Sequence, residues 1–520
     1  MAVLTTQRAT DTPDDLALAD DHDTSTWAEL DERINRLVHA MRSVGLGHGD
    51  TIAILATNSN AWFELAFACT HAGITYVPVN WHLVGPEIAY ILADSDSKAV
   101  FFDAAMADRM TEALSSPDVG EMAAVVMIGG AGPADRTATV AYEDFVERGD
   151  PAEPADQSMG GPMFYTSGTT GNPKGVRSSL STTPPGTDPT MLKGPASAYG
   201  DMVVEGGRTA LCGPVYHSAQ WAFSFLPMVL GASTVMQSKY DSAALLDLID
   251  THQVTHVHLV PTQMKRLLDL PDDVKQSFGG ASLERVLHGA APCPPAVKRG
   301  LIEWWGPKIM EYYGSTEASI VSTVGSEDWL RKGGSVGTPK PGIEIHVLDE
   351  RGEPVEVGQS GTLYFKTGRS FEYNKAPGKT AENRTANGLF TTGDVGYFDD
   401  EGFLWLSDRK IDMIISGGVN IYPAETEGVL GGHPDVADVA VIGVPNEEFG
   451  EEVKAIVVPS AGVDVATLAD TLDALCRTHL AGFKRPKSYE FRDELPRTGT
   501  GKVQKAKLRA PFWVGEDRPI

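Results

Sequence analysis

The chain reads as an α/β protein: a large amino-terminal lobe of helix-covered sheets followed by a small α+β domain at the carboxyl end. Three observations predict this. Short apolar runs alternate with helix-length amphipathic segments through the first hundred residues, the pattern of parallel strands joined by crossover helices. The 520 residues, 42% hydrophobic and 22% charged, are ample for a large buried core and ordinary for a globular protein. The last hundred or so residues change character, with two long apolar strands, one amphipathic helix and a basic segment.

The elements follow in order. Thr26-Trp-Ala-Glu29 is a capping box, in which the Thr26 hydroxyl takes an orphan N–H and Glu29 reaches back. Leu30, Ile34, Leu37, Val38 and Met41 then repeat at helical spacing until Gly45. Strands are predicted at 51–55, 75–79 and 99–102, and helices around 61–72 and 87–92. From Gly129 to Gly161 the chain turns Gly-, Pro- and Ala-rich, an excursion between subdomains. Its GGAG at 129–132 does not lead from a strand into a helix, so it reads as loop rather than a dinucleotide site. The stretch 178–198, with Pro184, Pro185, Pro189 and Pro195, reads as an exposed loop. No internal repeat is evident. Near the carboxyl end, 436–444 and 453–459 read as strands and 466–480 as a helix, while 484–509 holds nine Lys/Arg against three Asp/Glu. The division falls near Asp408, giving 1–408 and 409–520.

Charge excludes some partners. Lys and Arg number 43 against 70 Asp and Glu, a net −27, which repels nucleic acid and anionic lipid. An anionic ligand must therefore be caught locally, by backbone N–H groups and a few placed cations. Cys69, Cys212, Cys293 and Cys476 lie far apart with no C-x-x-C, which fits a reduced, cytoplasmic setting. Neither a secretory signal nor an apolar run of membrane-spanning length is visible, so no integral membrane contact is expected. The residues leave the oligomeric state open, a homodimer included.

The most informative stretch is Tyr165-Thr-Ser-Gly-Thr-Thr-Gly-Asn-Pro-Lys-Gly175. Its glycines let successive N–H groups converge on one anion, Thr166, Ser167, Thr169 and Thr170 add hydroxyl donors, and Lys174 adds a point charge. Such a loop suits a polyphosphate. It is not the G-x-x-x-x-G-K-[ST] loop, because Gly175 follows Lys174. By composition alone it could equally be a surface loop. His256 and His258 form an H-x-H on a strand, a pattern that could hold a metal, but no third ligand is placed.

The run YTSGTTGNPKGV is similar to the phosphate-binding signature of the adenylate-forming (ANL) superfamily: acyl-CoA synthetases, aryl-CoA ligases, luciferases and peptide-synthetase adenylation domains. Further matches follow in the family's order: PVYH at 214–217, YYGSTE at 312–317, TTGD at 391–394, DRKIDMIISGGVNIYPAE at 408–425 and PRTGTGK at 496–502. The resemblance covers nearly the whole chain, and DMIISGGVNIYPAE is closest to the acyl-CoA synthetase branch.

The resemblance implies an enzyme that joins a small-molecule carboxylic acid to AMP, releases pyrophosphate, and passes the acyl group to the thiol of coenzyme A, with ATP and Mg2+ required. Catalysis of the first step is positioning and charge neutralisation. By resemblance, Thr166, Ser167, Gly168, Thr169, Thr170 and Lys174 hold the β- and γ-phosphates. Tyr313 stacks on adenine beside Gly289 and Ala290, Thr316 touches the α-phosphate and Glu317 holds Mg2+. Asp394 and Arg409 bind the ribose, and Lys502 bridges the attacking carboxylate and the α-phosphate. Gly417 and Gly418 line the pantetheine tunnel after the small domain rotates, with Lys484, Arg485 and Lys487 outside as candidates for the CoA phosphates. His217 is the aromatic gate of the acid pocket, and Tyr216, Trp221, Val260 and Gly314 line it, with Pro261 and His288 beside them. The stretch 214–221 contains no acid, so a simple fatty or aromatic acid is favoured over an α-amino acid.

One departure stands out. Two residues after Arg409 the family carries Asp or Lys as hinge, and this chain has Ile411, which is stiffer at χ1. That motivates an alternative in which the adenylate goes to a carrier-protein thiol, an amine or another non-CoA nucleophile. A non-catalytic nucleotide-binding protein is the third reading, weakened because Lys174, Glu317, Asp394, Arg409 and Lys502 are all present.

Overall fold

The computed structural model describes all residues except 1–3, 131–138, 167–172, 291–292, 294, 350, 410–413, 422, 497–502, 504 and 515–520, and of 262, 296, 407–409, 420, 424 and 506 the backbone alone. A large mixed α/β lobe precedes a smaller α+β domain. Two sheets dominate the large lobe. In one, strands 16–19, 233–236, 208–211, 256–259, 285–288 and 309–315 lie side by side and parallel, with antiparallel strands at both edges. In the other, 161–166, 75–78, 51–55, 97–103, 124–128 and 139–141 are parallel, and 174–178 and 371–373 close one edge antiparallel. The parallel strands read as unbroken apolar runs because both faces are covered: all five residues of Thr51–Leu55 are buried.

One core fills the space between these sheets, joining Ile52, Ile54 and Tyr76 of one to Leu18, Leu211 and Met236 of the other through Trp27, Trp62 and Phe67. The helix Trp27–Ser43 starts with the expected capping box, and its Leu30, Ile34, Leu37, Val38 and Met41 all face this core. The helix Asn60–Ala72 is buried almost throughout and ends at Gly73, whose φ of +73° and contact with His48 leave no room for a Cβ.

Two expectations fail here. The stretch after Gly129 is not wholly irregular, since Thr139–Ala141 adds an edge strand and Tyr142–Val146 a buried helical turn. Nor is 178–198 simply exposed, because Lys193–Ser197 is helical and Leu192 and Ala196 are buried in the main core. In both cases a few apolar residues reach the core and outweigh the turn-rich composition around them. Of the GGAG segment, 131–132 lie outside the described residues.

A four-stranded antiparallel sheet (344–348, 361–366, 394–398, 404–409) leads to the small domain. There 436–446 and 450–459 form a long hairpin, 414–416 and 419–421 a short one, and 488–491 joins parallel; Val465–His479 packs alongside. No described helix is long and apolar enough to cross a membrane.

Candidate active site

The carboxyl ends of the parallel strands, where open α/β sheets bind ligands, open into a cavity of about 1070 Å3 roofed by the small domain. That exceeds the roughly 300–1,000 Å3 of usual small-ligand sites, leaving room for a nucleotide and a second substrate together.

Many of the residues expected from the sequence line it. Thr166 and Lys174 stand at the two ends of the phosphate-loop hairpin, in register opposite each other; Ser167, Gly168, Thr169 and Thr170 lie outside the described residues. Lys174 is half-buried, which pulls its pKa below the usual lysine range, and among the described residues it forms no ion pair. Across the cavity Glu317 accepts a hydrogen bond from the Tyr373 hydroxyl at 3.0 Å. Among the described residues there is no cluster of three or more His, Cys, Asp or Glu able to hold a metal by protein ligands alone. A half-buried carboxylate near the hairpin expected to hold phosphates still fits Mg2+, which keeps waters and takes phosphate oxygens as its other ligands.

Tyr313 donates to Asp394 at 2.6 Å, and Thr392 donates to the same carboxylate oxygen at 2.9 Å. The ring expected at adenine is thereby fixed by the acid expected at the ribose. Ala290 lines the cavity with φ +65°, whereas Gly289 lies behind it against the Tyr312 ring, where a Cβ would come within 2.6 Å. Thr316 faces Ser218, their hydroxyls 3.0 Å apart. The backbone of Arg409 pairs directly with Asp394 across adjacent strands. Lys502, Lys410, Ile411 and Asp412 lie outside the described residues. Of their neighbours, Val503 packs with Ala440, Ile442 and Leu508, and Lys505 pairs with Glu427 at 2.6 Å; neither lines the cavity.

The side where the sequence places the acid is aromatic. Trp221, 4% exposed, is held by a hydrogen bond from its Nε1–H to the Tyr76 hydroxyl at 2.8 Å and by stacking on Phe225. Phe223 stacks on His258 at 5.0 Å with an interplanar angle of 11°, and Tyr199 meets Phe223 edge-on. Tyr216, His217, Val260 and Gly314 join the wall; His288 and Pro261 do not. His288 is fully buried behind it, 3.7 Å from Glu311. Burial holds the His217 imidazole neutral, its pKa down to about 4. The H-x-H pair serves packing: His256 sits 2.6 Å from the Thr209 hydroxyl and His258 2.9 Å from that of Tyr312.

Gly417 and Gly418 line the cavity from the small domain, and a Cβ on Gly418 would come 3.3 Å from that of Val260, with φ already +77°. The roof is pinned nearby. Glu87 of the large lobe accepts from the Ala481 N–H at 3.1 Å and from Lys484 at 2.9 Å, and Lys484 also reaches Glu425 at 2.7 Å. Burial pushes the Glu425 carboxyl up to about 7; burial lowers the Lys484 pKa, but the two carboxylates outweigh this and hold it above its usual value. Lys484 is therefore spent inside the domain junction, and the expectation that it meets CoA phosphates outside fails: its two carboxylate partners offset what the ammonium loses on leaving water. Arg485 donates to the Leu480 carbonyl at 2.9 Å, leaving Lys487 as the exposed member of the trio. Sequence motifs gave no sign of Glu87, Tyr199, Arg369 or Tyr373, which come from chain outside the signatures, or of Phe223 and Ser319, which lie two residues beyond the stretches 214–221 and 312–317.

The family model for AMP-binding enzymes matches residues 5–371, and that for the AMP-binding enzyme C-terminal domain matches 425–502. A feruloyl-CoA synthase from an Amycolatopsis species is 34% identical over 501 residues, 94% of each chain. The amide bond synthetase McbA from Marinactinospora thermotolerans is 28% identical and superposes with a TM-score of 0.84 over 98% of this chain and 100% of its own. A double mutant of o-succinylbenzoate CoA synthetase from Bacillus subtilis, bound with its product analogue, is 27% identical and superposes at 0.81 over 98% of both chains. The same enzyme with its acyl-adenylate reaches only 0.66 at equal coverage.

Proposed function

This chain belongs to the adenylate-forming superfamily, in its acyl- and aryl-CoA ligase branch, and we propose that it activates an aromatic carboxylic acid with ATP and hands the acyl group to an amine or another nucleophile that enters past Gly417 and Gly418. That it is an ATP-dependent, acid-activating enzyme follows from the family. The aromatic character of the acid rests on Trp221, Phe223 and His258, closely packed uncharged rings that line the cavity and suit an apolar ring.

In the first half-reaction a carboxylate oxygen attacks the α-phosphorus, a P–O bond forms, and the bond to the pyrophosphate oxygen breaks. Lys174 and the hydroxyls around Thr166 hold the departing phosphates, Tyr313 and Asp394 fix the nucleoside, and Thr316 orients the α-phosphate. Lys502 spreads the charge that builds where two anions meet. Magnesium, held by Glu317 and the phosphates, would neutralise further charge. In the second half-reaction the nucleophile attacks the acyl carbon and AMP leaves. His217, held neutral by burial above about pH 4, keeps this side of the acyl group free of charge. We place the boundary between lobes at 408/409, so that the rotation exchanging the two half-reactions begins beside the ribose site.

The sequence alone puts coenzyme A first as acceptor. The observation that reverses this order is the capture of Lys484 by Glu87 and Glu425. Arg266 at the cavity wall is likewise paired, with Glu448 at 2.9 Å. A thiol carrier with three phosphates calls for several available cations, and an amine calls for none. The superposition with an amide bond synthetase supports the same order. The CoA reading stands second, favoured by the 34% identity to a feruloyl-CoA synthase. A panel of aromatic acids assayed by pyrophosphate release, repeated with CoA or with simple amines and with products identified by mass, decides. Faster turnover and an amide product with amines are expected; a thioester formed in preference to amide would reverse the order again.

A further inference from the structure

Four cations line the cavity among the described residues: Lys174, Arg266, Arg369 and Lys484. Arg266 and Lys484 have carboxylate partners. Lys174 belongs to the phosphate loop. Arg369 has no assignment, and among the described residues it forms no ion pair, in a chain with 70 acids against 43 bases. Such a half-buried guanidinium, left without a carboxylate where carboxylates abound, is a place kept for an incoming acceptor.

Its position says which one. Arg369 precedes the strand 371–373, whose Tyr373 sits opposite Val176 and whose Phe371 sits opposite Ser178. Lys174 lies at the other end of that partner strand, four residues or roughly 13 Å from Ser178 at the usual rise per residue. Arg369 is therefore at the far end from the polyphosphate hairpin. Its Nη1 reaches the Ser319 hydroxyl at 3.5 Å, and Ser319 lies 3.1 Å from the hydroxyl of Tyr199. Tyr199 packs its ring edge against Phe223, the wall of the acid pocket. Ser319 pairs with Ser315, one residue from Thr316, and has the left-handed backbone, φ +60°, that a serine adopts only at a cost. Side chains thus lead without a break from the aromatic wall to the guanidinium, starting beside the α-phosphate site.

We propose that Arg369, steadied by Ser319 and Tyr199, binds an anionic or hydrogen-bond-accepting group at the far end of the acid substrate. The preferred acid is then bipolar: one carboxylate goes to the adenylation centre at Thr316, a flat middle lies against Phe223, and a second acceptor, best a second carboxylate, lies on Arg369. This rests on the acid-activating reading above and specifies its substrate class.

The test uses the full-length enzyme and 3-phenylpropanoic acids that carry at the far ring position a carboxylate, an acetyl or an ethyl group, with pyrophosphate release as readout. The expected order of kcat/KM is carboxylate, acetyl, ethyl. In R369Q the carboxylate-bearing acid should lose about 10- to 100-fold and the ethyl-bearing acid should be unchanged, as one charge-assisted contact removed would give. R369K should recover part of the loss, and the KM for ATP should stay the same in both variants, which also reports that the site is folded. A raised KM for ATP with equal losses on all three acids would assign Arg369 to the nucleotide and overturn the inference. Equal rates for wild type and R369Q on every acid would overturn it too, while leaving the acid-activating reading intact. No release from any aromatic acid would defeat both.

Discussion

The cavity has two kinds of cation, and they divide by place. On the cavity walls of the large lobe Lys174 and Arg369 are half-buried without a carboxylate partner among the described residues; at the domain junction Lys484 is buried between Glu87 and Glu425. Unpaired charge costs solvation that only a ligand returns, whereas paired charge has already been satisfied by the fold. Local sequence singles out Lys174 by its glycine-threonine loop but gives no sign that Lys484 is buried. Only the acids brought from elsewhere in the chain reveal that Lys484 is already paired.

Substitutions can break this division. Lys174→Ala and Lys502→Ala should each cut pyrophosphate release by about 100- to 1000-fold, the cost of losing one preorganised charge at a phosphoryl transition state. For Lys502→Ala, a supplied acyl-adenylate should still be consumed by the nucleophile; equal loss in both half-reactions would show that the lysine has no separate role. Lys484→Met should act the other way. Leaving two buried carboxylates without their cation costs about 3–5 kcal/mol, read as a lower melting midpoint, while the KM for ATP remains near wild type. Gly418→Val should slow acyl transfer by an order of magnitude or more and spare adenylation, because its side chain would meet Val260. Single-turnover assays of each half-reaction separate these outcomes.

A smaller effect concerns pH. Burial depresses the pKa of His256 to about 4 and of His258 to about 3, below the ordinary 6.5. The folded state prefers both rings neutral, so their contribution is complete above pH 6.5 and is lost as pH falls through 6.5 toward 4 and 3. Between pH 6.5 and 5.5 each should cost about 1 kcal/mol, visible as a fall in the denaturant midpoint. Glu425, raised to about 7, acts in the opposite sense over 7 to 4.5 and tempers the slope.

Much of the large lobe was legible because its elements carry local signals. Thr26 and Glu29 cap a helix that buries the residues its spacing marks, and the run Thr51–Leu55 is a strand with those same ends. The excursion after Gly129 was misread because three edge residues and one buried turn leave little trace among glycines and prolines. In the site, glycine-rich signatures announce themselves since tight backbone approach permits few residues. Glu87, Ser319 and Arg369 could not be found in that way. Each is an ordinary residue in its own segment, and its meaning comes from neighbours tens to hundreds of positions away, Glu87 and Lys484 being 397 residues apart.

The hydrogen bond from Trp221 to Tyr76 ties a helix that follows one large sheet to a strand of the other. The floor beneath the acid is thus a weld across the seam of the lobe, and its outline is set by how the two halves of the scaffold are seated. Altering a methylene deep in that seam is expected to shift the Trp221 plane and re-size the cavity beside it. Selectivity for the proposed acid is then expected to respond to interior substitutions as well as to changes in the cavity wall.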